Sequence, residues 1–228
     1  GFYAFVVKGL GRTGGLIAGL IATLGYNFFV VGTIGTSGFF METIIAQLTG
    51  FDLHWYVWGL LSIAVCFVMA RQGVDFSSKV LGVSLILETL MLVVFDVSVL
   101  VQKGFDFSAF GPAAVFSGSL PIGLLLAATG YLGFEATALF SEEAKRPLKT
   151  IPRATYTAII AIAIILGVST WAIVSATGVN DAAAAANKHM ANGDLLFSLI
   201  AQYLGEPLSI VAEVLLLVSL VAAMLAFH

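Results

Sequence analysis

The chain is short of charge. Lys, Arg, Asp and Glu together supply 10% of its 228 residues, against about 25% in a soluble domain, too few to wet a surface. The net charge of −3 provides no basic field, which excludes nucleic acid as a partner. There is one cysteine, Cys66, set in an apolar stretch, so neither a disulfide framework nor a thiolate zinc site is expected. The three histidines, His54, His189 and His228, lack metal-ligand spacing, and no metal or cofactor is expected. No HExxH occurs and no clustered His, which argues against an intramembrane enzyme. Sustained period-two alternation is also missing, which argues against a β-barrel.

What is present is apolar. Hydrophobic residues make up 60% of the chain and the mean hydropathy is +1.05, so lipid is the solvent this chain expects. The segment Gly1-Phe2-Tyr3-Ala4-Phe5 shows no charged leader or cleavage site, and the apolar run from Pro207 reaches His228 with no cap. An internal piece of a longer polypeptide is the expectation.

Apolar runs near 20 residues predict six membrane spans in a single transmembrane domain: 14–45, 54–70, 77–101, 119–141, 151–177 and 207–228. The first is long, and its Gly32-to-Gly38 stretch is the expected weak point. Residues 195–204 are apolar but too short to cross, which suits an interfacial or capping helix. Residues 182–186 are all alanine and read as a tether. The basic residues fall in alternate loops. Lys8, Arg12, Arg71, Lys79, Lys145, Arg146, Lys149 and Arg153 lie on one side, Lys103 and Lys188 on the other. By the positive-inside rule the larger set is cytoplasmic. The fold class predicted is an all-α, multi-pass protein of the cell membrane.

Carboxylates inside spans cost roughly 2.5–3.5 kcal/mol each at mid-bilayer and are functional candidates by default. Glu88 sits mid-span in Leu85-Ile86-Leu87-Glu88-Thr89-Leu90, with Ser84 one turn back on the same face. Lys79 is about 13 Å away along a helix. Burial favours a group that exchanges a proton; a structural, hydrogen-bonded carboxyl is the alternative. Glu135 follows Gly130-Tyr131-Leu132-Gly133-Phe134. Two glycines three apart weaken a helix by roughly 1 kcal/mol each. They permit either an unwound, ligand-binding segment or close packing of helices. Asp96 and Glu42, nearer the outer interface, are expected to snorkel, and Glu213 to hydrogen-bond a neighbouring helix.

The stretch 130–147, Gly-Tyr-Leu-Gly-Phe-Glu-Ala-Thr-Ala-Leu-Phe-Ser-Glu-Glu-Ala-Lys-Arg-Pro, followed by Ile151-Pro152-Arg153-Ala154, resembles the sixth helix and following loop of the amino acid–polyamine–organocation permeases. Phe2-Tyr3-Ala4-Phe5 with Gly9, Gly11 and Gly15 is similar to that family's approach to its third helix, and 220–228 to its eighth. The resemblance implies that the six spans are helices three to eight of a LeuT-type, inverted-repeat transporter. The function implied is secondary active transport of an amino acid or related amine by alternating access, coupled to protons or to a cation. An exchanger or a non-transporting sensor of the same fold is the alternative.

Site residues carry over as implications of the same resemblance. Substrate contacts fall on Thr129, Gly130, Tyr131, Leu132 and Gly133, with Thr33 and Phe227 from other helices. Glu88 and Glu135 are the proton-coupling candidates. Glu142 and Glu143 against Lys145 and Arg146 form an inner-gate latch, with Pro147 ending one helix and Pro152 opening the next. Some proton-coupled members have a Lys where this chain has Glu88, so the position is implied to matter while its mechanism differs.

Overall fold

The computed structural model describes residues 2–71, 74–133 and 146–227. Among them the regular structure is helical: α1 Phe2–Thr49, α2 Trp55–Ala70, α3 Val74–Lys103, a 3-10 turn Ser108–Phe110, α4 Pro112–Val115, α5 Leu120–Thr129, α6 Pro147–Thr177, α7 Ala182–Lys188, α8 Leu195–Leu204 and α9 Glu206–Phe227. Among the described residues four helices are long and apolar enough to cross a membrane: Ala4–Thr49, Gly82–Lys103, Pro147–Thr177 and Glu206–Leu225. Trp55–Ala70, Leu120–Thr129 and Leu195–Leu204 are shorter apolar helices. The chain is an all-α polytopic membrane protein. Large apolar side chains such as Leu20, Phe28, Ile86 and Leu125 stand exposed along the helices, as expected where lipid replaces water.

Contacts divide the chain into two compact units. One comprises residues 1–22 with 99–182, the other 23–98 with 183–228.

In the second unit α1 and α2 pack through small residues, the means by which helices approach closely in lipid. A Cβ on Gly38 would collide with the Trp55 carbonyl oxygen, and one on Gly59 would lie 3.3 Å from the Ile34 side chain. Between them Ser37 Oγ and Ser62 Oγ hydrogen-bond at 2.9 Å, both fully buried. In the part of α1 that belongs to the first unit, the backbone departs from helix at Gly11, with φ 75° and ψ −177°, a conformation natural to glycine. The 32–38 stretch remains helical, with Thr33 and Thr36 hydroxyls bonding back to the Phe29 and Gly32 carbonyls. Of the small residues there, Ser37 and Gly38 serve packing, and none marks a break.

Helix α8 folds back on α9. Phe197, Leu199 and Ile200 are buried, and Ser209 Oγ donates to the Phe197 carbonyl at 2.9 Å. The alanine run at 182–186 is helical in α7 rather than a tether, in keeping with alanine's helix propensity.

In the first unit Trp171 of α6 anchors the segment after α3. Its indole N–H donates to the Asp106 carbonyl at 2.6 Å, and Phe105, Phe107 and Phe110 pack round its ring at 5.0–5.9 Å between centroids. Pro147, not Pro152, occupies the first turn of α6; Pro152 lies inside the helix. Proline's fixed φ suits Pro147 to that position.

Candidate functional site

Glu88 is half-buried on α3, and both its oxygens accept hydroxyl hydrogen bonds. Ser84 Oγ donates to Oε1 at 2.6 Å, one helical turn away. Ser219 Oγ of α9 donates to Oε2 at 2.8 Å, across 131 residues of sequence. The two serines are its hydrogen-bond partners among the described residues. Ser84 is itself 5% exposed.

This arrangement can accommodate either charge state. A hydroxyl donates to a carboxylate, and it rotates to accept from a carboxylic acid. A Lys or Arg partner would instead hold the ionised form. Beside Glu88 opens a cavity of about 150 Å³, lined by Met91, Leu92, Phe197, Ile200 and Leu215 among others, in which the carboxyl is the sole charged group. Its low polarity raises the strength of the hydroxyl bonds to Glu88.

Ser219 was not among the residues singled out from the sequence. The signal was present: it is the hydroxyl in the otherwise apolar run Leu215-Leu216-Leu217-Val218-Ser219-Leu220. Without a register between α3 and α9, nothing in the sequence linked it to Glu88.

The other predicted residues divide by location. Thr33 belongs to the same unit as Glu88 and is half-buried, with its hydroxyl given to the Phe29 carbonyl. Phe227 ends α9, and its side chain lies outside the described residues. Thr129, Gly130, Tyr131, Leu132 and Gly133 belong to the first unit. There α5 stops at Thr129. Gly130, Tyr131 and Leu132 then make hydrogen bonds of the i to i−3 kind, and Gly133 takes φ 96°. The two glycines differ in role. Gly133 supplies a positive φ that a side chain would strain. Gly130 makes room for α6, since a Cβ would lie 2.6 Å from Leu166 Cδ1. Thr129 bonds its hydroxyl to the Leu126 carbonyl at 2.6 Å.

Glu135, Glu142, Glu143 and Lys145 lie outside the described residues; Arg146 is exposed just before α6. Asp96 does not snorkel as expected: it is 4% exposed on α3, next to the buried Phe95, because this part of α3 faces protein. Outside the spans, Asp106 accepts from the Ser108 backbone N–H and hydroxyl, both at 2.8 Å. The backbone bond first, and the hydroxyl second, hold its carboxyl below the usual 3.8.

The helical, polytopic chain with a hydroxyl-bound carboxyl in a span belongs to the class of multi-pass membrane proteins. A family model described as amino acid permease matches residues 1–227, and the chain belongs to that family. Membership makes it a transporter rather than an enzyme, with amino acids as the general class of cargo. No match to the chain was found among curated proteins or among solved structures.

Proposed function

We propose that the protein is a secondary active transporter that moves amino acids or related amines across the cell membrane by alternating access, with Glu88 carrying the coupled proton. Glu88 supports this most directly. It is an intramembrane carboxyl whose two oxygens meet two serine hydroxyls, from α3 and α9. Hydroxyl partners stabilise the acid and the carboxylate alike, so the proton can load and leave without an unpartnered buried charge in either state. Because the serines come from two helices, a relative shift of α3 and α9 would change the number of donors and with it the proton affinity.

The six spans of the sequence reading form part of an inverted-repeat transporter in this account. Substrate is held at the end of α5, where the backbone from Gly130 to Gly133 leaves the α-helical pattern. Such irregular backbone at membrane depth offers N–H and C=O groups to an amino acid's charged ends. Tyr131 and Leu132 would flank it. Glu135 would act as a second ionisable group, and Glu142 and Glu143 with Lys145 and Arg146 as an inner latch.

The test separates accumulation from exchange. In proteoliposomes, Glu88→Gln should abolish uptake driven by a proton gradient while labelled amino acid still exchanges against the same amino acid inside. Gradient-driven uptake that is unchanged in Glu88→Gln would remove Glu88 from the coupling role.

A further inference from the structure

A second intramembrane acid takes no part in the mechanism above. Glu213 of α9 is 5% exposed, yet its Oε2 has no hydrogen-bond partner among the described residues. Trp58 of α2 presents the complementary case, a buried indole Nε1–H that also has no partner. Buried polar atoms are nearly always satisfied, and each exception calls for a reason.

The helix register brings the two exceptions to one level. Cys66 Sγ of α2 lies 3.6 Å from the Val221 carbonyl of α9. On α1, Gly38 meets the Trp55 carbonyl at the start of α2, while Phe40 lies against Gly193, just before α8. In turn α8 receives the Ser209 hydroxyl, near the start of α9, on its Phe197 carbonyl. Thus α2 and α9 start at the same end and run in the same direction. Counting back two turns along each gives Trp58 on α2 and Glu213 on α9. Trp58, Ser62 and Cys66 form one i, i+4 row, and Glu213, Leu217 and Val221 form another. An acceptor and a donor, both buried and both unpaired, thus stand level on adjacent helices of one unit.

We propose that Glu213 and Trp58 form one buried hydrogen-bonding site between α2 and α9, at which Glu213 takes up and releases a proton independently of Glu88. The proton is handled through water shared by the two groups, the ligand that a small polar site with a donor and an acceptor suits. The charges nearby favour a proton over an anion. Glu206 lies two turns back on the same face of α9, and Asp194 caps α8, its carboxylate bonded to His189 at 2.8 Å. The helices packed against α9 also carry Tyr203 on α8, Tyr56 and Cys66 on α2, and Asp75, Lys79, Glu88, Asp96 and Lys103 on α3. The two lysines stand toward the ends of α3, and no Lys or Arg pairs with Glu213 among the described residues, so none holds it permanently ionised. The inference rests on burial and register, and stands whether or not Glu88 couples transport.

Trp58 supplies the readout. The chain has three tryptophans; with Trp55→Phe and Trp171→Phe, Trp58 alone emits from the protein in lipid. Its emission should change in a single step with pH, because a neutral carboxyl quenches indole more than a carboxylate does. Glu213→Gln should abolish the step and Glu88→Gln should leave it. Absence of the step, its survival in Glu213→Gln or its loss in Glu88→Gln would overturn the proposal. Infrared spectra of protein with all its tryptophans give a second test. One titrating carboxylic acid carbonyl band should persist in Glu88→Gln, vanish in Glu213→Gln and shift in Trp58→Phe. A band indifferent to Glu213→Gln and to Trp58→Phe would equally overturn it.

Discussion

At Asp106 a carboxylate accepts two hydrogen bonds from one residue, the backbone N–H and hydroxyl of Ser108, while its own carbonyl receives the Trp171 indole. The bonded form is the ionised one, so folding lowers the carboxyl below its ordinary 3.8. A depressed carboxyl contributes stability that is fully present above its unfolded value and is lost as pH falls through the folded one. The loop should therefore loosen only in acid, below the ordinary carboxylate range. Ser108→Ala removes the second of the two bonds. Asp106 should then titrate nearer to 3.8 while remaining below it, as followed by carboxyl carbon shifts in NMR. A titration that does not move would contradict the assignment. Local pairs of this kind are legible in sequence, and Ser84 beside Glu88 was read at i, i+4 and lies at 2.6 Å. Ser219 was not, because a contact across 131 residues depends on how α3 and α9 align, which no local pattern encodes. Asp96 was misjudged for the same reason: depth along a helix says nothing about which face meets protein.

Among the helices, glycine has several roles that sequence alone does not separate. The Gly32-to-Gly38 stretch suggested a weak point, yet it stays helical, and Ile34, Ser37 and Gly38 within it contact α2. Gly38→Ala would drive a Cβ into the Trp55 carbonyl oxygen, which is backbone and gives way poorly. Overpacking of this sort costs about 1–3 kcal/mol. Gly35→Ala meets nothing within 4 Å and should instead gain up to about 1 kcal/mol in helix propensity. Thermal unfolding in detergent should accordingly rank Gly35→Ala at or above the parent and Gly38→Ala clearly below it. The reverse order would mean that the α1–α2 contact is not as described. At the end of α5 the sequence posed two readings for the paired glycines, unwinding and close packing. Both features occur there, one at Gly133 and the other at Gly130.

For the molecule as a whole, class was legible from composition: too little charge for water, long apolar runs, and basic residues concentrated on one side of the spans. Family was legible from one stretch, residues 130–147 with Ile151-Pro152-Arg153, and a match over residues 1–227 supports it. Coupling was not legible to the same degree. Glu88 stands where the resemblance implies a Lys in some family members, and its partners emerge only when α3 and α9 are set side by side. The claim that Glu88 moves a proton with each amino acid is best tested by watching the proton. Purified protein in vesicles carrying an internal pH dye, at equal pH on both sides, should acidify the lumen when amino acid is added outside. Under the same conditions Glu88→Gln should produce no acidification. Entry of labelled amino acid into wild-type vesicles with no change in internal pH would contradict the account.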